Sequence, residues 1–403
     1  MRAAFFHPQF KGVGGAEVLI AAQARFLVEK GHDVRLVSHM RQPERWQAAF
    51  AGVAQDHFQT YLPGEWYLPR ATRIERALPR ALEQLRGSDA VIAHNFPSCA
   101  LLGMAELPGT QRVWYCNEPN RTLHLIESTP YMHARVLATP ARSGAERAYA
   151  NKLRLYKLLT STELGRRTRE LDRQHSAQVE ILCANSEYTR DNIRRIYERS
   201  DAHVINPIIH FPAAGRARTG IDRTRGLQVL AHARLDPIKN LDHVLTGFAL
   251  YARRALGAQL HVVGVGPQRA ALERLSRQLG VHAAVRFHGF LPQAELERVY
   301  DTCDVFALTP VDEPFGMVFP EAAARGLILI GTDHAGPSEI LDGGELGYVC
   351  NPFAPEALCE HLERIAAESD AHHDTMRQRA AAACVSRYSA STLGPMLLRL
   401  LAS

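Results

Sequence analysis

The sequence VFALTPVDEPFGMVFPEAAAR, residues 305–325, combines a short apolar strand, a Pro-Phe-Gly turn and the beginning of a helix of small residues. Glu313 precedes the turn, and Glu321 follows it within the first helical turns. Amide groups at a helix N-terminus attract anions and sugar oxygens. Carboxylates beside them can accept hydrogen bonds from hydroxyl groups. The stretch therefore predicts a site for a phosphorylated sugar.

Short apolar segments alternate with helical patterns on both sides of this stretch. Strands are predicted at residues 3–6, 34–38, 90–93, 112–115, 180–184, 204–205, 227–232, 259–263, 285–287, 305–308 and 327–331. Helices are predicted at 16–30, 143–174 with a break near 161–165, 187–197, 240–254, 268–279, 293–301, 317–325 and 389–401. Alternation of this kind indicates an α/β fold with parallel sheets covered on both faces. A polar stretch rich in Pro and Gly at 206–226 predicts a linker between two Rossmann-like domains, with a cleft between them.

Length and composition agree with this organisation. A chain of 403 residues is too long for one ordinary core. The hydrophobic content of 46% and charged content of 22% are typical of a soluble globular protein. The N-terminal segment predicts a short buried strand, because a secretory signal needs a longer apolar region. The seven cysteines are scattered and odd in number, which predicts buried thiols in a reducing cytoplasm and no structural zinc.

The net charge of +5 is unevenly distributed. Residues 135–173 contain ten Lys/Arg against four Asp/Glu. A second basic stretch consists of Arg70, Arg73, Arg76, Arg80 and Arg86. Solvated helix faces explain most of this charge, and the alternative is a surface for anionic lipid at the inner membrane face or for an anionic acceptor. Nucleic acid is not an expected partner, since no nucleic-acid-binding motif accompanies the charge.

Two glycine-rich turns follow predicted strands. The first, at residues 11–17, contains Gly12, Gly14 and Gly15, and the second contains Gly264 and Gly266. The dinucleotide fingerprint requires a further glycine three positions after the second one, where these turns have Glu17 and Arg269. The turns therefore argue against classical NAD binding.

A basic loop follows the first strand of the second predicted domain. It runs ARLDPIKN from residue 233 to residue 240 and contains Arg234 and Lys239. Arg offers a fork for phosphate oxygens and Lys a mobile point charge. Because ligands bind at the carboxyl ends of strands in α/β sheets, the loop predicts a phosphate site beside the two glutamates.

These features together resemble the retaining glycosyltransferases of family 4, which have the GT-B fold. The resemblance rests on Glu313 and Glu321 around Pro-Phe-Gly, the 233–240 loop and the Gly14-Gly15-Ala16-Glu17 turn. The segments VRFHGFL at 285–291 and AGPSEI at 335–340 extend it. It covers essentially the whole chain and implies an N-terminal acceptor-binding domain at 1–208, a nucleotide-sugar-binding domain at 209–385, and a C-terminal helix at 386–403 that packs back on the first domain.

The resemblance also implies roles for individual residues. Glu313 would contact the donor-sugar hydroxyls, and Glu321 the ribose hydroxyls of the nucleotide. Arg234 and Lys239 would hold the diphosphate and stabilise its charge as it leaves. The backbone of four turn residues would contact sugar and phosphate: Phe315, Gly316, Met317 and Val318. Gly14 and Gly15 would close on the donor from the first domain. Four residues would lie near the base: His288, Gly289, Phe290 and Leu291.

The segment Cys116-Asn117-Glu118-Pro119 departs from the family pattern, in which many members have His where this chain has Asn117. Asn can donate a hydrogen bond to a sugar oxygen, but it cannot take up a proton. His94 and His124 are alternative candidates nearby in the sequence, although a lone His is more often structural.

The expected function is transfer of a hexosyl unit from a UDP- or GDP-sugar to an acceptor hydroxyl with retention, in polysaccharide, glycolipid or glycoconjugate biosynthesis. Arg234 and Lys239 would replace a divalent metal, and no cofactor is expected. The acceptor, whether lipid-linked, anionic or a small molecule, remains open. The alternatives are a GT-B epimerase, a nucleotide-sugar-binding subunit and a phosphorylase. The phosphorylase is disfavoured because no lysine follows Lys239.

Overall fold

The computed structural model of the chain describes residues 1–10, 14–40, 50, 58–60, 70–138, 144–211 and 220–402. Residues 11–13 of the first glycine turn and 212–219 of the predicted linker lie outside the described residues, as do the side chains of Arg70, Arg73 and Arg76. The chain divides into two compact units. The first comprises Met1–Ser128, Leu155–His210 and Tyr388–Ser403, and the second comprises Thr129–Arg154 and Phe211–Arg387.

Within the described residues, the first unit contains a seven-stranded parallel sheet in the order β3-β2-β1-β4-β5-β6-β7. Its strands are Arg2–Gln9 (β1), Asp33–Met40 (β2), Phe58–Thr60 (β3), Ala90–His94 (β4), Gln111–Cys116 (β5), Ile181–Ala184 (β6) and His203–Val204 (β7). All five residues of the central strand β4 are buried, as expected for a parallel strand covered on both faces.

The described part of the second unit contains a six-stranded parallel sheet in the order β10-β9-β8-β11-β12-β13. Its strands are Gln228–His232 (β8), Gln259–Val263 (β9), Val285–Gly289 (β10), Val305–Ala307 (β11), Ile328–Thr332 (β12) and Tyr348–Cys350 (β13). The order reverses between β8 and β11, which are direct neighbours. Loops that follow these two strands therefore emerge side by side, at the position where open α/β sheets bind ligands.

Helices connect the strands in both units. In chain order they are Gly15–Glu29 (α1), Arg70–Leu85 (α2), Ser98–Met104 (α3), Leu125–Ser128 (α4), Pro130–Ala138 (α5), Gly144–Ser161 (α6), Glu163–Ala177 (α7), Glu187–Tyr197 (α8), Leu241–Ala252 (α9), Arg269–Gln278 (α10), Gln293–Thr302 (α11), Val318–Ala324 (α12), Ala335–Ile340 (α13), Pro355–Ala367 (α14), Asp370–Tyr388 (α15) and Ala390–Ala402 (α16). No described helix combines the length and hydropathy needed to cross a bilayer.

One feature of the units differs from the expectation based on sequence order, and two agree with it. Residues Thr129–Arg154 group with the second unit, although they fall inside the 1–208 segment assigned to the first domain. The long helical stretch around 143–174 is interrupted at Thr162, within the predicted break, where the Thr162 side chain accepts a hydrogen bond from the Gly165 amide and caps α7. The helix α16 groups with the first unit.

Candidate active site

An ion pair joins the loops that follow β8 and β11. Lys239 ends a single 3-10 turn, Pro237–Lys239, and its Nζ donates to Glu313 Oε2 at 2.5 Å. Both side chains are largely shielded from solvent. The structure thus brings together a cation and a carboxylate that the sequence placed in two separate motifs.

Backbone and amide hydrogen bonds fix these loops to one another. Asn240 is buried and adopts a left-handed conformation with φ of 57°. Its side-chain nitrogen donates to the carbonyl of Thr309 at 2.9 Å and to that of Pro352 at 2.7 Å. The Val311 amide donates to the carbonyl of Ile238 at 3.2 Å. The position of Lys239 relative to the Glu313 loop is therefore set by the backbone as well as by its own ammonium group.

Asp312, immediately before Glu313, is buried and has a φ of 53°. Its carboxylate accepts hydrogen bonds from the amides of Tyr131 at 3.2 Å and Met132 at 2.9 Å, at the first turn of α5. A carboxylate at this position satisfies helix N-terminal donors and interacts favourably with the helix dipole. Asp312 thus attaches α5 to the loop that presents Glu313.

The turn after Glu313 is shaped by glycine and by close backbone packing. Gly316 has a φ of 96°, a region that side chains rarely adopt. The Gly336 amide, in α13, donates to the carbonyl of Glu313 at 3.0 Å. A Cβ on Gly336 would lie 2.4 Å from Cα of Phe315, so only glycine allows this approach. Phe315 itself is buried, whereas Met317 and Val318 remain partly exposed at the start of α12.

Glu321 lies in the first turn of α12 and is partly exposed. Burial by its surroundings raises the pKa of this carboxyl group to about 7, and Arg325 opposes that shift. Near neutral pH the side chain is therefore divided between a form that only accepts hydrogen bonds and a form that can also donate one.

Arg234 lies on the same loop as Lys239 but has a different environment. Its guanidinium is exposed and pairs with Asp236 of its own loop. The loop is packed against the turn after β9, since a Cβ on Gly264 would lie 1.9 Å from the carbonyl oxygen of Ala233. Gly266 packs against Leu235 in the same way, since a Cβ on Gly266 would lie 2.6 Å from the carbonyl oxygen of Leu235. The second glycine turn therefore allows two loops to touch.

The segment from His288 to Leu291 lies at the end of β10, an edge strand of the same sheet. His288 Nε2 is 3.1 Å from His261 Nδ1, and the two rings are stacked. Burial, with a contribution from Arg286, lowers the pKa of His288. Phe290 is exposed and Gly289 has a φ of 75°. The His288 side chain is thus held against His261 on the neighbouring strand β9, whereas the Phe290 side chain is exposed to solvent.

In the first unit, Gly14 is the N-cap residue of α1 and Gly15 begins the helix. The Gly14 amide donates to Glu17 Oε2 at 3.2 Å, and Glu17 Oε1 lies 3.6 Å from His7 Nε2. Glu17 occupies the place of the third glycine of the fingerprint, and its carboxylate accepts a hydrogen bond from the N-cap amide at the start of α1. A ligand that accepted a hydrogen bond from the Gly14 amide would have to displace the Glu17 carboxylate.

Asn117 follows β5 and contacts a buried histidine. Its side-chain nitrogen donates to Asn95 Oδ1 at 3.1 Å and lies 3.3 Å from His94 Nδ1. Burial, together with nearby His7, holds the pKa of His94 well below its usual range. A neutral His94 can accept the hydrogen bond from Asn117, which fixes the orientation of the amide. His94 thus supports Asn117, and its own side chain is fully buried.

His124 is enclosed elsewhere in the first unit. Its Nε2 lies 2.9 Å from Asp172 Oδ2, and Tyr197 donates to the same oxygen at 3.0 Å. All three side chains are buried. The preference for a structural histidine at this position agrees with that environment.

Three residues around the Glu313 loop were not predicted from the sequence to take part in the site. They are Asp312, Tyr131 and His334. The ring of Tyr131 stacks on that of His334, with 4.0 Å between centroids. His334 immediately precedes α13. Asp312 is adjacent to Glu313 in the sequence. Its hydrogen-bond partner Met132, however, lies 180 positions away, so no local pattern could predict the contact.

Two family models match the chain. The model described as Glycosyltransferase Family 4 matches residues 13–210, and the one described as Glycosyl transferases group 1 matches residues 219–382. Together they cover most of the chain, including every residue placed in the sites above except those at the N-terminal strand.

Curated relatives match part of the chain. Mannosylfructose-phosphate synthase of Agrobacterium fabrum is 30% identical over 176 residues, which are 40% of this chain and 39% of that protein. The lipopolysaccharide core biosynthesis glycosyltransferase LpsE of Rhizobium meliloti is 29% identical over 150 residues, 37% of this chain and 43% of that protein. The chain thus spans less than half of the length of these relatives.

Among solved structures, HepE of Anabaena in complex with UDP and glucose is similar with a TM-score of 0.72 and 16% identity. The similarity covers 100% of this chain and 99% of that one. At this identity it establishes the fold alone, which is the GT-B fold predicted from the sequence.

Proposed function

The chain belongs to glycosyltransferase family 4, and we propose on that premise that it transfers a hexosyl unit from a nucleoside diphosphate sugar to an acceptor hydroxyl. The observation that supports this most directly is the contact between Lys239 and Glu313. It places a group suited to phosphate and a group suited to sugar hydroxyls within one hydrogen bond of each other. A donor sugar linked through its anomeric carbon to a diphosphate requires that arrangement.

The proposed roles follow from charge development during the reaction. Cleavage of the glycosyl–phosphate bond leaves negative charge on the departing diphosphate and positive character on the sugar ring. Lys239, with the exposed guanidinium of Arg234, would stabilise the leaving group without a divalent metal. Glu313 would accept hydrogen bonds from sugar hydroxyls, and Glu321 from the ribose diol. The diphosphate and Glu313 would then share the Lys239 ammonium group.

The stereochemical outcome we propose is retention, with the acceptor attacking from the side of the leaving group. Glu313 and Glu321 are not proposed as a hydrolase pair, because both lie on one turn beside the basic loop instead of flanking a scissile bond. Asn117, oriented by His94, would donate a hydrogen bond to a sugar or acceptor oxygen. The proposed products are polysaccharides, glycolipids or other glycoconjugates.

A donor panel tests the proposal. The protein is incubated with UDP-, GDP- and dTDP-sugars and mixed hydroxyl acceptors, and released nucleoside diphosphate is measured. We expect release with at least one donor, loss of release in Glu313→Ala, and retention at the anomeric carbon by NMR of the product. A sugar that changes configuration while still attached to nucleotide would identify an epimerase instead. Binding without any release would identify a binding subunit, and no binding to any donor would refute the proposal.

A further inference from the structure

The helix α6 has apolar side chains on two faces. Leu153 and Tyr156 are buried. Leu155, Leu158 and Leu159, in contrast, are 55%, 66% and 52% exposed. These three leucines are neighbours on the helix surface because they are spaced by three and four residues. A helix needs only one buried face to pack on its own protein, so the second face is available to another partner.

The next helix adds to this surface at a tight bend. Leu164, in the first turn of α7, is 74% exposed. The Thr162 hydroxyl donates to the Leu159 carbonyl at 2.8 Å, and its oxygen accepts from the Gly165 amide at 3.0 Å. A Cβ on Gly165 would lie 2.1 Å from the oxygen of Leu159, so the two helices touch here. We call the exposed set Leu155, Leu158, Leu159 and Leu164 the leucine elbow.

Positive charge surrounds the leucine elbow. Residues 152–167 contain five Lys/Arg and one Asp/Glu. Arg154, Lys157 and Arg167 are exposed, while Arg166 pairs with the single acidic residue, Glu163, at 2.6 Å. Exposed leucines with exposed cations nearby in the sequence are complementary to a surface that has an apolar interior and anionic headgroups.

We propose that the leucine elbow docks on an anionic lipid bilayer. The leucines would enter the boundary between headgroups and acyl chains, and the surrounding cations would contact lipid phosphates. A second copy of this chain is a poorer partner for the same surface, because it would bring five cations against five. The inference does not depend on the proposed transfer reaction, since it concerns lipid binding alone.

Vesicle co-sedimentation tests the proposal with the full chain. Vesicles of phosphatidylcholine alone are compared with vesicles that also contain phosphatidylglycerol. We expect binding to the anionic vesicles that weakens as salt is added. Leu158→Ser with Leu164→Ser should weaken it about tenfold or more. Lys157→Glu with Arg167→Glu should weaken it at least about fivefold for each charge.

A matched control is available on another surface. Leu256 is 96% exposed and lies in the turn after α9. Leu256→Ser should leave vesicle binding unchanged, and far-UV circular dichroism should show that all variants remain folded. Absence of binding to anionic vesicles at low salt would overturn the proposal. So would binding that the elbow variants do not weaken, or a dimer in analytical ultracentrifugation that dissociates on Leu158→Ser.

Discussion

Lys239 joins the two loops of the proposed donor site through its side chain. Its ammonium group donates to Glu313 from a loop on the neighbouring strand. Both residues could be predicted from the sequence, because each belongs to a recognisable motif. Their contact could not be predicted without the strand order, because it depends on β8 and β11 being neighbours in the sheet.

Replacing Lys239 should affect catalysis more than folding. We expect Lys239→Ala to lower kcat about 100-fold, because a leaving-group cation is lost, and to weaken binding of the nucleoside diphosphate. Steady-state kinetics and calorimetry with the accepted donor measure the two effects. The matched control is Arg277→Ala, an exposed cation on α10. Normal rates in both Lys239→Ala and Arg234→Ala would contradict the proposed role.

Glu321 should make the free energy of unfolding depend on pH. The pKa of its carboxyl group rises from 4.5 to about 7 on folding, so the folded state holds the proton more tightly. Stability is therefore lost as pH rises from the lower value through the higher one. Glu321→Gln should gain about 1–3 kcal/mol relative to the parent between about pH 5 and pH 8. Urea unfolding at both pH values measures this, with the exposed Glu295→Gln as control. An equal difference at both would rule out the shift.

At the scale of secondary structure, the helix α5 depends on a side chain from the Glu313 loop. Asp312 satisfies two amides at its N-terminus from a buried position. Because Asp312 and Glu313 are adjacent, movement of α5 would also move Glu313, the residue proposed to bind the sugar hydroxyls. The cap therefore connects the packing of one helix with the geometry of the site.

Substitutions at Asp312 should separate its charge from its hydrogen bonds. Asn tolerates the left-handed backbone and retains one acceptor, so Asp312→Asn should lose about 1 kcal/mol of unfolding free energy. Asp312→Ala should lose about 2–3 kcal/mol, because one buried and one partly buried amide lose their partner. Urea unfolding measures both losses. Asp191→Ala, at an exposed pair, should stay within about 0.5 kcal/mol of the parent. A loss for Asp312→Ala no larger than for Asp191→Ala would exclude the capping role.

The contact between the β8 and β9 loops offers a comparison of two glycines. Both Gly264 and Gly280 have positive φ, but a Cβ on Gly280 would meet nothing within 4 Å. Gly280→Ala should therefore cost about 1 kcal/mol for its backbone conformation alone. Gly264→Ala adds a collision with Ala233 and should cost at least about 2 kcal/mol more, while displacing the Arg234 loop. Equal costs in thermal unfolding would show that the loop can move aside.

Eleven of the thirteen described strands were predicted from the sequence, whereas seven of the sixteen described helices were not. The helix Glu187–Tyr197 and the strand Gln259–Val263 occur at the predicted bounds, and most other predicted elements differ by one or two residues. The short strand Tyr348–Cys350 was missed, because three residues give too short a pattern. The helix Pro130–Ala138 was also missed. Its N-terminal amides bond to Asp312 from a distant part of the chain, which gives no local signal, although Thr129 and Pro130 do form a helix-start pattern.

At the scale of the whole molecule, the two units are interleaved along the chain. The segment Thr129–Arg154 belongs with residues that follow Phe211. Its contacts there include the Tyr131–His334 stack and the guanidinium of Arg135 over the ring of Phe353. Domain boundaries inferred from linker composition cannot show such an exchange, because the crossing between Arg154 and Leu155 lies inside the continuous helix α6, where no linker marks it.

A fragment experiment tests whether this segment is required. Residues 211–387 alone should fail to unfold cooperatively in urea, because Asp312 and His334 would lose their partners. The same fragment with residues 129–154 joined through a flexible linker should recover a single transition. A linked segment of scrambled sequence is the control. Cooperative unfolding of the short fragment by itself would show that the segment is dispensable.

Because each unit is built from separate segments of the chain, the interleaving also affects when each unit can fold during translation. Tyr131 and the carboxylate that caps its helix are separated by 181 residues of chain. At a translation rate of about 5–20 residues per second, α5 leaves the ribosome roughly 10–35 seconds before its cap. The first unit is likewise incomplete until residues Tyr388–Ser403 have been synthesised. Neither unit can therefore finish folding as soon as half of the chain has emerged, and nascent chains should depend on chaperones for longer than their modest size suggests.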